Sequence, residues 1–249
     1  MAQYIYGRNT VLSAILDGKV TRVLIAPSFS DNRILEALKT QKIPFEKRSS
    51  DELDRLSHGV HQGIVAEIPD YHYVSLDELC QKASKKTYPL LIILDELKDP
   101  HNFGAILRSA DAFGADGIII KKDGQVALNP TVAKVSTGAI DHVPVCQVTN
   151  LNQAIKDLKK KGYWAVASDG SATMDYRQPD YKMPTVLIVG SEGEGVSRLV
   201  LENSDFVVKI PMVGHVNSLN ASVATAVLLA TIMDRRTPLG ETHAKPSQR

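Results

Sequence analysis

From residue 90 onward, apolar runs of strand length alternate with capped or amphipathic stretches. Residues 90–94 read Leu-Leu-Ile-Ile-Leu, a continuous apolar run. Such runs belong to strands buried on both faces of a parallel sheet. Residues 117–121, 164–167 and 185–189 repeat the pattern. Between them the spacing predicts a helix from Asn102 to Phe113, a helix opening at Asn129-Pro130, and an amphipathic helix over 151–161. A long apolar helix over 219–233 closes the series. Alternation of this kind predicts an α/β fold with a mostly parallel sheet.

The first seventy residues predict a smaller α/β unit. Strands are expected over 21–26 and 63–68, with a short extended piece from Phe45. Helices are expected from a cap at Asn9 or Thr10 through Leu16, over 31–40, and from a cap at Ser49 or Ser50 through Leu56. Residues 71–88 change character, with a polar, lysine-bearing stretch at 81–87, although Leu76 and Leu79 can anchor a short helix. The expected organisation is a domain over 1–70, a linker over 71–88 and a second domain over 89–249.

Composition narrows the class. At 249 residues and 43% hydrophobic, the chain can bury a large core without staples. Its two cysteines, Cys80 and Cys146, lack metal-type spacing, which argues against a disulfide framework and for a reducing, cytoplasmic setting. Residues 1–8 lack the charged and apolar regions of a signal peptide, and the apolar run at 226–233 is too short to span a bilayer. No membrane partner and no metal are expected. The net charge is +1, from 29 basic and 28 acidic residues. Any nucleic-acid surface must therefore be a local patch. The candidates are Lys121 with Lys122, residues 159–161, and Arg235 with Arg236.

Three polar segments follow apolar strands, where parallel sheets bind their ligands. In the first, residues 98–108, Asn102 and Arg108 lie six positions apart. That spacing puts Arg108 roughly on the cleft-facing side of the expected helix; the alternative is a plain cap and a surface charge. The second, residues 186–197, carries Gly190, Ser191, Glu192, Gly193, Glu194 and Gly195. Its glycines let backbone approach a ligand. A dinucleotide fingerprint fails here, because Arg198 stands where the third glycine is needed. Glu192 and Glu194 would also repel a pyrophosphate. A cationic ligand suits the loop, and a ligand-free tight turn is the alternative. The third, residues 210–222, sets Asn217, Ser218, Asn220 and Ser222 before a helix of small residues. One N-cap does not account for four such groups. His215 in this loop reads as an ordinary loop histidine. No G-x-S-x-G elbow of an α/β hydrolase occurs.

Together the three segments resemble the motifs of the SPOUT RNA methyltransferases, specifically the TrmH/SpoU branch. Tyr6-Gly7-Arg8-Asn9 and His61-Gln62-Gly63-Ile64 resemble the L30e/L7Ae-like substrate-binding domain of the 23S rRNA guanosine 2′-O-methyltransferases (RlmB type). The resemblance covers the whole chain. It implies a C-terminal parallel-sheet trefoil-knot domain, a homodimer with each active site near the subunit interface, and S-adenosyl-L-methionine as cofactor. It implies methylation of a guanosine ribose 2′-hydroxyl in 23S rRNA. A tRNA guanosine ribose, or non-catalytic RNA binding on the same fold, are the other readings. Asn102, Arg108, Glu192, Ser218 and Asn220 match the family's active-site residues. Gly190, Ser191, Gly193, Ile210, Met212 and Leu219 match its cofactor-binding backbone.

Overall fold

The structure is a computed structural model that describes residues 3–57, 59–68 and 70–237. The tail at 238–249, expected within the second domain, lies outside the described residues. Two compact units form, Met1–Tyr71 and His72–Arg249.

In the first unit, strands β1 (Gln3–Tyr6), β2 (Arg22–Ile25), β3 (Phe45–Lys47) and β4 (Ile64–Ile68) alternate with helices α1 (Arg8–Leu16), α2 (Asn32–Thr40) and α3 (Ser50–Leu56). The sheet order is β1-β4-β2-β3, with β4 antiparallel to both neighbours and β2 parallel to β3. The two-residue period of the strands sorts the core. Val23, Ile25, Ile64 and Ala66 pack with Val11, Ile15, Ile34 and Leu38 of α1 and α2, whereas Leu24 and Val65 turn to Leu53 of α3. Ser49 caps α3 in a reciprocal capping box with Glu52. Helix α1 begins earlier than expected: Gly7, not Asn9 or Thr10, is its N-cap.

The second unit begins inside the expected linker. Helix α4 (Leu76–Ala83), opened by a capping box of Ser75 and Glu78, buries Leu79, Cys80 and Ala83 in the core beside Ile119 and Cys146. Strands β5 (Leu90–Leu94), β6 (Gly117–Lys121), β7 (Val145–Val148), β8 (Trp164–Ser168), β9 (Met174–Asp175), β10 (Thr185–Val189) and β11 (Phe206–Lys209) form one sheet. Its order is β7-β6-β5-β10-β8-β11-β9, and every pairing is parallel. The helices are α5 (Pro100–Ala112), α6 (Pro130–Ser136), α7 (Leu151–Lys160), α8 (Arg198–Asn203) and α9 (Ala221–Arg236).

Adjacent β5 and β10 form the reversal point of this sheet. The chain leaves β5 toward β6 on one side and leaves β10 toward β11 on the other. Their carboxyl-end loops open into a crevice, the usual ligand position in such sheets. Helix α5 packs against both α6 and α9. Gly104 permits its close approach to α6, because a Cβ there would lie 2.6 Å from Val135 Cβ and 2.9 Å from the Val132 carbonyl oxygen. No helix among the described residues is long and apolar enough to cross a membrane.

Candidate active site

Asp99, followed by Pro100 at the first turn, accepts from the His101 N–H and caps α5. Asn102, expected as the cap, therefore lies inside the first turn, 5% exposed, with its amide free for other bonds. Its Nδ2 donates to Glu192 Oε1 at 2.9 Å, and its Oδ1 accepts from Asn220 Nδ2 at 2.9 Å. Asn220 Nδ2 also donates to Glu192 Oε1. Asn220 is in addition the N-cap of α9, accepting on Oδ1 from the backbone N–H groups of Ser222 and Val223. One residue from each motif thus meets in a single hydrogen-bonded cluster.

The loop that presents Glu192 is built on a close backbone approach. Ser191 and Gly195 exchange backbone hydrogen bonds of 3.1 and 3.0 Å, leaving residues 192–194 as the tip. A Cβ on Gly190 would lie 2.0 Å from the carbonyl of Gly195, so only glycine fits there. Asp95, at the end of β5 and 3% exposed, accepts from the Ser197 N–H at 2.8 Å and ties the base of this loop to the neighbouring strand.

Beside the cluster lies a cavity of about 800 Å³, within the ~300–1,000 Å³ of small-ligand sites. Gly190, Ser191, Gly193, Ile210, Met212 and Leu219 all line it, as do Glu192 and Ser218. The carboxyl end of β8 supplies a further wall, from Ser168 to Ser171. Sequence reading missed this segment, although its apolar strand followed by a polar Asp-Gly turn carries the same signal as the other three. Asp169, Glu192 and Glu194 face a single lysine, Lys209, around the cavity. Such an acidic, acceptor-rich lining fits a positively charged ligand with hydroxyl and amine groups better than a phosphate ester. No cluster of three or more His, Cys, Asp or Glu among the described residues is arranged for a metal ion.

Arg108 is not part of this assembly. It is exposed, and it lines neither the large cavity nor the smaller one at Asn102 and Glu192. Six helical positions rotate it about 120° from Asn102. The cleft-facing orientation expected from spacing is therefore corrected.

The charge patches also sort themselves. Lys159 pairs with Asp205 at 2.6 Å, Lys160 with Asp157 and Lys161 with Asp77. Arg236, half-buried at the end of α9, donates to the carbonyls of Tyr88, Tyr181 and Met183 and to Thr185 Oγ1. Burial lowers its pKa to about 10, so it stays charged at neutral pH as an internal brace. Among the described residues, neither Lys121 nor Lys122 pairs with an acidic side chain or braces the interior, unlike residues 159–161 and the Arg235–Arg236 pair. In the first unit, Arg8 and Gln62 join the two N-terminal motifs. The Arg8 N–H donates to Gln62 Oε1 at 2.9 Å, and the guanidinium lies 5.3 Å from the Phe29 ring centroid. His61 Nδ1 accepts from the Gly63 N–H at 3.0 Å.

Fold and crevice together define an α/β enzyme of the SPOUT methyltransferase class, with a smaller mixed-sheet domain before its knotted one. A profile of the SpoU rRNA Methylase family matches residues 89–230, and one for RNA 2′-O ribose methyltransferase substrate binding matches residues 4–74. The YacO protein of Bacillus subtilis (strain 168), whose name places it among the TrmH family tRNA/rRNA methyltransferases, is 44% identical over 96% of this chain and 98% of its own. The crystal structure of the SpoU methyltransferase AviRb from Streptomyces viridochromogenes with the cofactor AdoMet matches at TM-score 0.68 and 25% identity, covering 94% of this chain and 90% of that one. An AdoMet-bound rRNA methyltransferase from Sinorhizobium meliloti matches in fold at TM-score 0.67 and 23% identity, covering 95% and 88%. A TrmH/SpoU tRNA modifying enzyme of A. aeolicus is 33% identical at TM-score 0.56, covering 65% of this chain and 82% of that one. The chain belongs to the TrmH/SpoU family and is an RNA 2′-O-ribose methyltransferase.

Proposed function

We propose that this enzyme uses S-adenosylmethionine to methylate the ribose 2′-hydroxyl of a guanosine in structured ribosomal RNA. The carrying observation is the cluster of Asn102, Glu192 and Asn220 at the rim of an acid-lined cavity. When bound, the cofactor supplies a methyl carbon on a sulfonium, a good leaving group. The backbone at Gly190, Ser191, Gly193, Ile210, Met212 and Leu219 holds it, and the three carboxylates complement its charge. Asn102, Glu192, Ser218 and Asn220 fix the loops so that the ribose oxygen meets the methyl carbon in line. Alignment of that kind supplies up to about 7–11 kcal/mol. Arg108 binds the phosphate beside the target ribose and stabilises charge developing on its oxygen.

Because Arg108 is exposed and lines neither cavity of its own chain at the site, we read the working unit as a homodimer in which it serves the neighbouring site. Val213 and Val216 in the third-motif loop and Val223 on α9 are exposed apolar groups close to the cavity. They are suited to burial against a second copy.

The rRNA reading rests on domain coverage. The rRNA methyltransferase of S. meliloti is matched over both domains, whereas the tRNA enzyme of A. aeolicus is matched over 65% of the chain. A tRNA substrate is the second reading, favoured by the higher identity of that tRNA enzyme and by the double tRNA/rRNA name of YacO. Incubation with methyl-labelled cofactor and unmodified 23S rRNA or tRNA, then nuclease mapping, tests the choice. Label on a 23S guanosine ribose, lost in Arg108→Ala, is the expected result. Label in tRNA alone overturns the rRNA substrate and keeps the chemistry.

A further inference from the structure

Asp169 stands at the carboxyl end of β8, where its backbone N–H donates to the Val208 carbonyl at 2.9 Å. Its Oδ1 is locked by two donors from Ser171, the backbone N–H at 2.9 Å and the hydroxyl at 2.5 Å. Its Oδ2 faces the second-motif loop, since a Cβ on Gly195 would lie 3.0 Å from it. No cation among the described residues pairs with this carboxylate. Of the other two carboxylates on the cavity, Glu192 is already engaged by Asn102 and Asn220, and Glu194 sits at the loop tip. Asp169 is therefore a preorganised acceptor with one oxygen fixed and the other turned into the crevice.

We infer that Asp169 holds a hydrogen-bond donor of the cofactor through Oδ2 and sets a large part of cofactor affinity. The inference rests on the reading of this cavity as the cofactor site. The donor is an N–H of the amino-acid ammonium or an O–H of the adenosine ribose. A carboxylate serves either, because a charge-assisted bond is about twice as strong as a neutral one. Gly195 has a role in this arrangement: a methyl group there would crowd the Oδ2 face and the ligand with it.

Asp169→Asn tests the assignment. The amide oxygen can keep both Ser171 bonds, while its NH₂ replaces the acceptor that faces the cavity. Equilibrium binding is measured by titration calorimetry with S-adenosylmethionine, S-adenosylhomocysteine and methylthioadenosine, which keeps the ribose and lacks the amino-acid portion. A loss on the order of tenfold to a hundredfold for the first two, with methylthioadenosine unchanged, supports the assignment and identifies the ammonium. An equal loss for all three supports it and identifies the ribose. Unchanged affinity for all three overturns it. Should Asp169→Asn fail to fold, Ser171→Ala carries the test. Removing the hydroxyl leaves Oδ1 held by the backbone N–H alone; the looser carboxylate is expected to weaken the same ligands severalfold, and no change would overturn the assignment. Gly193→Phe separates this failure from that of the cavity itself. A Cβ at Gly193 meets nothing within 4 Å, so the ring can enter open space and obstruct the site. Wild-type affinity in that variant would move the cofactor elsewhere.

Discussion

Asn220 Nδ2 donates to Asn102 Oδ1 at 2.9 Å across 118 positions of sequence. The same side chain caps α9 through Oδ1, so one amide both starts the last helix and ties it to the first motif. Asn220→Asp separates the two tasks. The retained oxygen still caps α9, but the new carboxylate loses the donor and faces Glu192. Helix content should stay near wild type while methylation falls about 10²–10³-fold, by analogy with a lost active-site donor. Asn220→Ala should lose the cap as well, about 1 kcal/mol in urea unfolding. Full activity in Asn220→Asp would remove the link from the mechanism.

Gly104 places α5 against α6, and so holds Asn102 at the crevice. Gly104→Ala should destabilise by about 1–3 kcal/mol, because its methyl would overlap Val135. Adding Val135→Ala should restore part of that loss, with a coupling energy outside the additive range. Alanine at 135 removes the Cγ1 contact at 2.8 Å but keeps the Cβ at 2.6 Å, and the Val132 carbonyl also still crowds the site, so recovery should stop well short of wild type. Two additive substitutions in a denaturation cycle would contradict this packing.

Strands β5, β6 and β10 are legible in the sequence because complete burial makes them almost uniformly apolar. The three polar segments are legible because side chains that are too polar for their place stand out against such runs. Strand β7 is not: Val-Cys-Gln-Val lies at the sheet edge and has no sustained pattern. Asn102 misleads as a cap because local sequence gives both it and Asp99 that chemistry. Pro100 favours Asp99, since proline fits the first helical turn. Asp95 is equally hidden, because its partner Ser197 is 102 positions away. Bonds made by tertiary folding, such as the four that Arg236 donates, leave no local trace.

The fully buried Cys146 thiol is pushed up to about 11, chiefly by burial, with Cys80 and Glu78 adding to it. The folded value lies above the ordinary 9.0, so the folded state keeps a proton that the unfolded chain releases. The associated stability is complete below about pH 9 and is lost as pH rises through about 11. Cys146→Val should lose less stability than wild type between about pH 8 and about pH 10.5 in urea titrations. Parallel losses in the two proteins would show that other groups account for the alkaline decline.

Lys121 and Lys122 should bind RNA phosphates, whereas Arg236 should not. Lys121→Ala with Lys122→Ala is expected to weaken RNA binding and flatten its salt dependence by about 0.7 for each phosphate no longer neutralised. Arg236→Met should leave that slope intact and lower the melting temperature. Each carbonyl deprived of its donor costs about 1–3 kcal/mol when buried. A flattened slope in Arg236→Met at full folding would place it on the RNA surface instead.

Arg108 is exposed and lines neither cavity beside the Asn102–Glu192–Asn220 cluster of its own chain, so a shared dimer site predicts complementation. Arg108→Ala and Asn220→Asp should each be nearly inactive as pure proteins. In a mixed dimer related by a two-fold axis, one site combines an intact Arg108 with an intact cluster, and the other combines both defects. Random exchange at equal amounts makes half the dimers mixed, each with one restored site. The mixture should therefore recover roughly a quarter of wild-type methylation. Recovery requires exchange of subunits, so co-expression with two affinity tags gives the cleaner measurement, on dimers carrying both. Absence of recovery in such dimers would mean that Arg108 reaches its own cavity by a conformational change when RNA binds. The exposed position of its side chain would then describe only the RNA-free enzyme.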